Sequence, residues 1–455
     1  MSRAARLIAA IAVALAVGLP LATGPVRAAG VSFGAQQIDS AYGQGITFTV
    51  PVEASGPLAR LEIRLRLPDS LGPFVEIVPF AAADRTATYH LDTTGDSHMV
   101  PNTTIEATWA AYEATGQAPV LSKAATIRYA DTEHDWHRVK GDVVTVHWYA
   151  GDEAFANRAL AIGDKAVKDT ADLLGVDDVA PVDFFIYGDT QSFRTALGPG
   201  TRENVGGQAH TDIRTLFAMI GPDQINDPWV AIVVPHELIH IVFDEAVDNP
   251  FSNPPRWVNE GLAVYLSEGF TPTDRAAVTS SVRSGELMPL TALTAQFPTD
   301  PALTSLAYSE SVSAIDHLVR TDGEDALLKL VESYAAGPTD DQAMQAATGL
   351  DVAGFQARWL ADLGASEPIQ QGPRPNPPGP VPPGWEGEAP GQPTAAPGET
   401  GAATSSNPAP SASPAPGSTG SDGGGSLALV LAAVAIIVVV VVAGLLIARR
   451  RTPAP

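Results

Sequence analysis

Two histidines four residues apart, with a glutamate directly after the first, open the segment His236-Glu237-Leu238-Ile239-His240. Glu260 follows twenty residues later. These are the side chains of this chain whose types and spacing are best suited to chemistry. On a helix, positions i and i+4 stand one above the other, so both imidazoles share one face. Imidazole nitrogen and carboxylate oxygen are donors that a divalent transition metal accepts. A set of two histidines and one glutamate fills three corners of a tetrahedron and leaves the fourth to water, as a catalytic zinc site requires. Glu237 lies close enough to touch a water in that corner without binding the metal, which suits a general base. The chain has no cysteine, so a transition-metal site must be built from histidine and carboxylate.

The carboxylate has to be carried by a second element. Pro255-Arg256-Trp257-Val258-Asn259-Glu260-Gly261-Leu262-Ala263-Val264-Tyr265 reads as an amphipathic helix with Glu260 just inside its start, and the turn-rich stretch 244–254 returns the chain towards the histidines. With both pieces present, the sequence resembles the gluzincins, zinc peptidases with HExxH and a glutamate third ligand on the following helix. NEGLA resembles the third-ligand segment of the peptidase MA-like family. The resemblance extends over about 131–364 and also includes VHWYAGD (146–152), GGQA (206–209) and AYSES (307–311). It implies Zn²⁺ held by His236, His240 and Glu260, with Glu237 as general base in peptide-bond hydrolysis. It also implies a tyrosine or histidine donor for the tetrahedral oxyanion, for which Tyr308 is the candidate. Gly206, Gly207 and Ala209 would by the same analogy form an edge strand that pairs with an extended peptide.

Around this site the 455-residue chain reads as a multidomain protein. Residues 1–28 have the arginine-flanked apolar run of a signal peptide. Residues 29–131 alternate with period two between turn residues and predict an all-β sandwich, with Leu65 and Trp109 in its core. Residues 132–366 predict an α+β zincin-like (gluzincin) peptidase domain with a helical C-terminal part. A Pro/Gly/Ser-rich disordered stalk (367–426), a transmembrane helix (427–448) and a cytoplasmic tail (449–455) opening with Arg449-Arg450-Arg451 complete the chain. This pattern predicts a single-pass type I protein of the cell membrane, its N-terminal ectodomain outside the cytoplasm. Removing Arg3, Arg6, Arg27, Arg449, Arg450 and Arg451 from the 27 basic residues leaves 21 against 51 acidic ones. So acidic an ectodomain argues against nucleic acid and anionic lipid as partners; the partner that the resemblance implies is a peptide or protein substrate. The oligomeric state stays open.

Within the second domain, strands are expected at 143–148, 181–187 and 216–220, with helices at 154–174 and 192–197. Gly175, Thr339 with Gln342, and Asp351 supply helix caps. Pro235 should either start the histidine-bearing helix or kink it. His134 and His137 read as a solvated linker, and His147 as a structural strand residue. His210 and His317 have no spacing that ties them to the site, and Tyr265 reads as packing. No nucleophile elbow, phosphate loop or EF-hand loop is present. Three function classes follow. The first is a membrane-anchored, extracytoplasmic zinc metallopeptidase. The second is a cell-surface adhesion or scaffold protein with a structural or inactive zinc site, and the third a zinc amide hydrolase acting on cell-wall material.

Overall fold

The computed structural model describes residues 30–368, apart from 115–116, 200–205, 250–252 and 338. The expected signal peptide, the membrane helix, the tail and the stalk beyond residue 368 lie outside the described residues. Among the described residues no helix is long and apolar enough to cross a membrane.

The N-terminal part is β-rich. Its strands are β1 (Val31–Phe33), β2 (Gln37–Ala41), β3 (Gly45–Ala54), β4 (Arg60–Arg66), β5 (Phe74–Ile77), β6 (Thr86–Asp92), β7 (Thr104–Tyr112), β8 (Val120–Leu121) and β9 (Ala125–Arg128). They form two antiparallel sheets, one around β3 and one around β4 and β7. Alternate residues of β3, β4 and β7 turn into one shared core that holds Phe48, Ile63, Leu65 and Trp109. The strands β1 and β8, of three and two residues, carry too few alternating residues to show in the sequence pattern.

The second domain is α+β. A five-stranded sheet runs in the order β10 (His137–Lys140), β11 (Val144–Trp148), β12 (Val182–Tyr187), β14 (Thr215–Met219), β13 (Gly207–His210). The inner three strands are parallel and both edges antiparallel. α1 (Glu153–Leu174) crosses over from β11 to β12, starts on an Asp152 cap and ends at Gly175, whose φ of 71° suits glycine. α2 (Thr190–Leu197) follows β12. Then come α3 (Val230–Val247), α4 (Arg256–Ser267), α5 (Pro272–Ser284), α6 (Pro301–Asp322), α7 (Glu324–Ala335), α8 (Asp340–Thr348) and α9 (Val352–Leu363). Thr339 and Gln342 make the expected capping box, and Asp351 caps α9.

Strand alternation divides the sheet between two layers. Val182, Phe184 and Ile186 of β12 join the core under α1 and α3, while Phe185 and Tyr187 turn to the opposite face with Phe193 and Phe217. The β-rich domain backs that second face. Asn102 Nδ2 donates to Thr215 Oγ1 at 2.7 Å and to Asp183 Oδ2 at 3.1 Å, and Arg128 pairs with Asp183 at 2.8 Å. Both domains lie within one compact unit.

Two expectations need correction. α3 begins five residues before Pro235 and runs through it, so the proline does not start the helix. Its fixed φ is compatible with a helix, and it forgoes the hydrogen bond to the Ala231 carbonyl one turn after the helix start. The segment 131–137 is solvated only in part: Thr132, Glu133, Asp135 and His137 are exposed, while Asp131 is buried and His134 and Trp136 are half-buried. His134 stacks on Tyr149 with ring centroids 3.8 Å apart, Trp136 packs edge-on to Phe185 and Tyr187, and Tyr187 donates to Asp131. His137 opens β10.

Candidate metal centre

α3 sits on the sheet and on α1 because it is apolar nearly all round, burying Val230, Val234, Leu238, Ile241 and Val242. His236 and His240 share the remaining face, half-buried. α4 lies against α3 and α6, and Gly261 permits the second contact. A Cβ at that position would stand 2.6 Å from the Ser311 carbonyl oxygen and 2.9 Å from Ile315. This close approach brings Glu260 opposite the two histidines.

His236 Nε2 and His240 Nε2 are 3.2 Å apart, and Glu260 Oε2 is 3.5 Å from each. Ligands about 2.0–2.1 Å from a tetrahedral zinc ion lie about 3.3–3.4 Å from one another, so this triangle has the size such an ion needs. The three form the only such His/Cys/Asp/Glu group among the described residues. The donor set and its spacing therefore fit Zn²⁺.

The outer partners fix which atoms face inward. His240 Nδ1 donates to Asn259 Oδ1 at 2.6 Å, which leaves Nε2 as the metal-facing atom. Arg256 takes Glu260 Oε1 at 2.8 Å and leaves Oε2 to the histidines. Burial alone would raise the Glu260 carboxyl. Hydrogen bonds and charge from His236 and His240 outweigh it and hold the group well below the usual carboxylate range. Burial would lower His240, but Glu260, followed by Glu237 and Asn259, pushes it up to about 9.

Glu237 stands apart from the triangle. Its Oε2 accepts the backbone N–H of Ala209 at 2.9 Å, which ties it to the edge strand β13. Gly207 on that strand leaves room for it, because a Cβ there would lie 3.1 Å from Glu237 Cγ. Tyr308 is half-buried on α6, its ring centroid 6.4 Å from that of His236 and edge-on to Phe297 at 5.2 Å. Burial pushes its phenol up to about 12, Glu260 and Glu237 add to the rise, and the nearby Arg256 opposes it.

The remaining histidines lie elsewhere. His147 bonds Asp183 at 2.6 Å and stacks on Phe185, as a structural strand residue would. His210 ends β13 beside Gln208, and His317 is buried against Asp362 and Phe355. Tyr265 packs against the main core. Sequence reasoning assigned no role to Asn259 and Arg256. The signal was present for Arg256, four residues before Glu260 on one helix, where opposite charges meet.

Residues 162–365 match the family model of the peptidase MA superfamily. Among solved structures, the chain is similar to an aminopeptidase N family protein from Idiomarina loihiensis. Identity is 10% and the TM-score 0.38, over 73% of this chain and 77% of that one. It is also similar to an M1 zinc metallopeptidase from Deinococcus radiodurans, with 13% identity and a TM-score of 0.35, over 75% of this chain and 97% of that one. No curated protein matches the chain.

Proposed function

We propose, from the match of residues 162–365 to the peptidase MA superfamily model, that this protein is a zinc metallopeptidase that hydrolyses peptide bonds outside the cytoplasm, held at the membrane by one C-terminal helix. The observation that carries the hydrolytic reading is the separation of Glu237 from the ligand triangle. A carboxylate beside the metal ligands, anchored instead to an edge-strand amide at 2.9 Å, has no use in a purely structural site.

Zinc, held by His236, His240 and Glu260, supplies Lewis acidity towards a substrate carbonyl and a lowered pKa for water, towards about 7. The chain's own groups supply the rest. Glu237 holds and passes the proton, at the carboxylate that Ala209 positions. The edge strand β13, apart from the Ala209 N–H that Glu237 takes, offers backbone groups to an extended peptide. Tyr308 directs its hydroxyl at the oxygen that gains charge. The signal-like residues 1–28, the apolar run 427–448 and the arginines at 449–451 support the location.

The test pairs a metal-content assay on the purified full-length chain with a proteomic cleavage screen. One equivalent of zinc with cut peptides supports the proposal. One equivalent with no cut peptide returns the protein to the scaffold class, and cleavage of cell-wall amides in place of peptides would make it an amide hydrolase.

A further inference from the structure

Arg256 is the first residue of α4, its backbone N–H bonded to the Thr294 carbonyl at 2.9 Å. Its side chain runs one helical turn forward to Glu260 Oε1 at 2.8 Å, while Oε2 of the same carboxylate faces both imidazoles. The guanidinium also lies 5.1 Å over the ring of Phe297, which is buried. Tyr308 meets that same ring edge-on. Arg256 and Tyr308 thus share one aromatic platform. An ion pair of i,i+4 spacing has no need of a platform.

We propose that Arg256 is a positioning residue that sets two groups of the site at once. It occupies one oxygen of Glu260, so the carboxylate presents a single oxygen to the metal, and it braces Phe297, the ring against which Tyr308 packs. This rests on the metallopeptidase reading above. A lysine has one compact ammonium and no planar fork, so it cannot both pair with Glu260 and lie flat on Phe297 as a guanidinium does.

The experiment uses the full-length chain and the variants Arg256→Gln, Arg256→Lys, Tyr308→Phe and Arg256→Gln/Tyr308→Phe. Zinc affinity is read by competition with a chromophoric chelator, and kcat and KM on a peptide from the cleavage screen at saturating zinc. Both Arg256 variants are expected to weaken zinc by about 10- to 100-fold, as loss of an outer-shell partner does. Tyr308→Phe should leave zinc affinity unchanged. In turnover, Arg256→Gln should lower kcat with little change in KM, and the double variant should lose no more than the worse single one, because the arginine acts through the tyrosine. Wild-type zinc affinity in Arg256→Gln, or kcat losses that multiply in the double variant, overturns the proposal. Should Arg256→Gln fail to fold by circular dichroism, Arg256→Lys carries the same comparison. A wild type that binds zinc and cuts nothing sinks the hydrolytic reading, and the zinc comparison alone then decides the case of Arg256.

Discussion

The amide of Ala209 and the carboxylate of Glu237 are joined by a 2.9 Å hydrogen bond, so the edge of the sheet and the candidate base are positioned as one piece. Gly207 makes this possible by leaving space 3.1 Å from Glu237 Cγ. Gly207→Ala should displace the carboxylate while leaving the ligand triangle intact. The expected result is a fall in kcat of about 10- to 100-fold, the scale of a sub-ångström to 1 Å misplacement of a reacting group, with zinc content unchanged. Steady-state kinetics and metal analysis on the same preparation check it.

Asn259 holds the other end of the His240 ring at 2.6 Å. Asn259→Ala frees the ring to rotate and lets either nitrogen carry the proton. Zinc affinity is expected to drop by about 10- to 100-fold, measured by chelator competition. Asn259→Asp, which keeps an acceptor oxygen, should lose less.

Gly261 lets α4 approach α6 closely enough to place Glu260, since a Cβ would stand 2.6 Å from the Ser311 carbonyl oxygen. Gly261→Ala should destabilise the fold by about 1–3 kcal/mol through overpacking, read as a lower urea midpoint. Gly349, whose Cβ would meet nothing within 4 Å, is no counter-example, because its φ of 79° strains any other residue.

Glu310 is fully buried on α6 beside Met288, whose N–H it accepts at 3.1 and 3.2 Å. Burial pushes its carboxyl up to about 8, only partly opposed by that hydrogen bond. The folded pKa lies above the unfolded one. Its stability contribution is therefore fully present below about pH 4.5 and is lost progressively as pH rises through about 8. Glu310→Gln keeps an acceptor for Met288 and removes the ionisation. The difference in unfolding free energy between variant and wild type should grow in the variant's favour between about pH 5 and pH 8 and level off above, by a few kcal/mol. A flat difference across that range would contradict the burial argument.

Much of the site was legible because its chemistry is local. The i,i+4 spacing on one helix brings the two histidines together whatever the rest of the fold does, and Glu260 needs only that the next helix return. The long strands and helices also declared themselves through periodicity, as in β3, β7, β12 and α1. The rest depends on tertiary packing. Asn259 and Arg256 serve the site only because α4 docks at one particular rotation against α3 and α6. β10 has four residues, too few for a pattern, and His134 looked like linker because its aromatic partners, Tyr149 and Tyr187, are distant in sequence. Of the two readings of Pro235, only the helix start fails, because α3 already begins at Val230.

The central claim is that Glu237 moves the proton while His236, His240 and Glu260 hold the metal. Glu237→Gln in the full-length chain, assayed for zinc content and peptide cleavage side by side, tests it most directly. The expected result is about one equivalent of zinc with turnover reduced by about 100- to 10,000-fold, the usual contribution of a general base. Turnover equal to that of the wild type would remove Glu237 from the chemistry, and loss of zinc would make it a ligand instead.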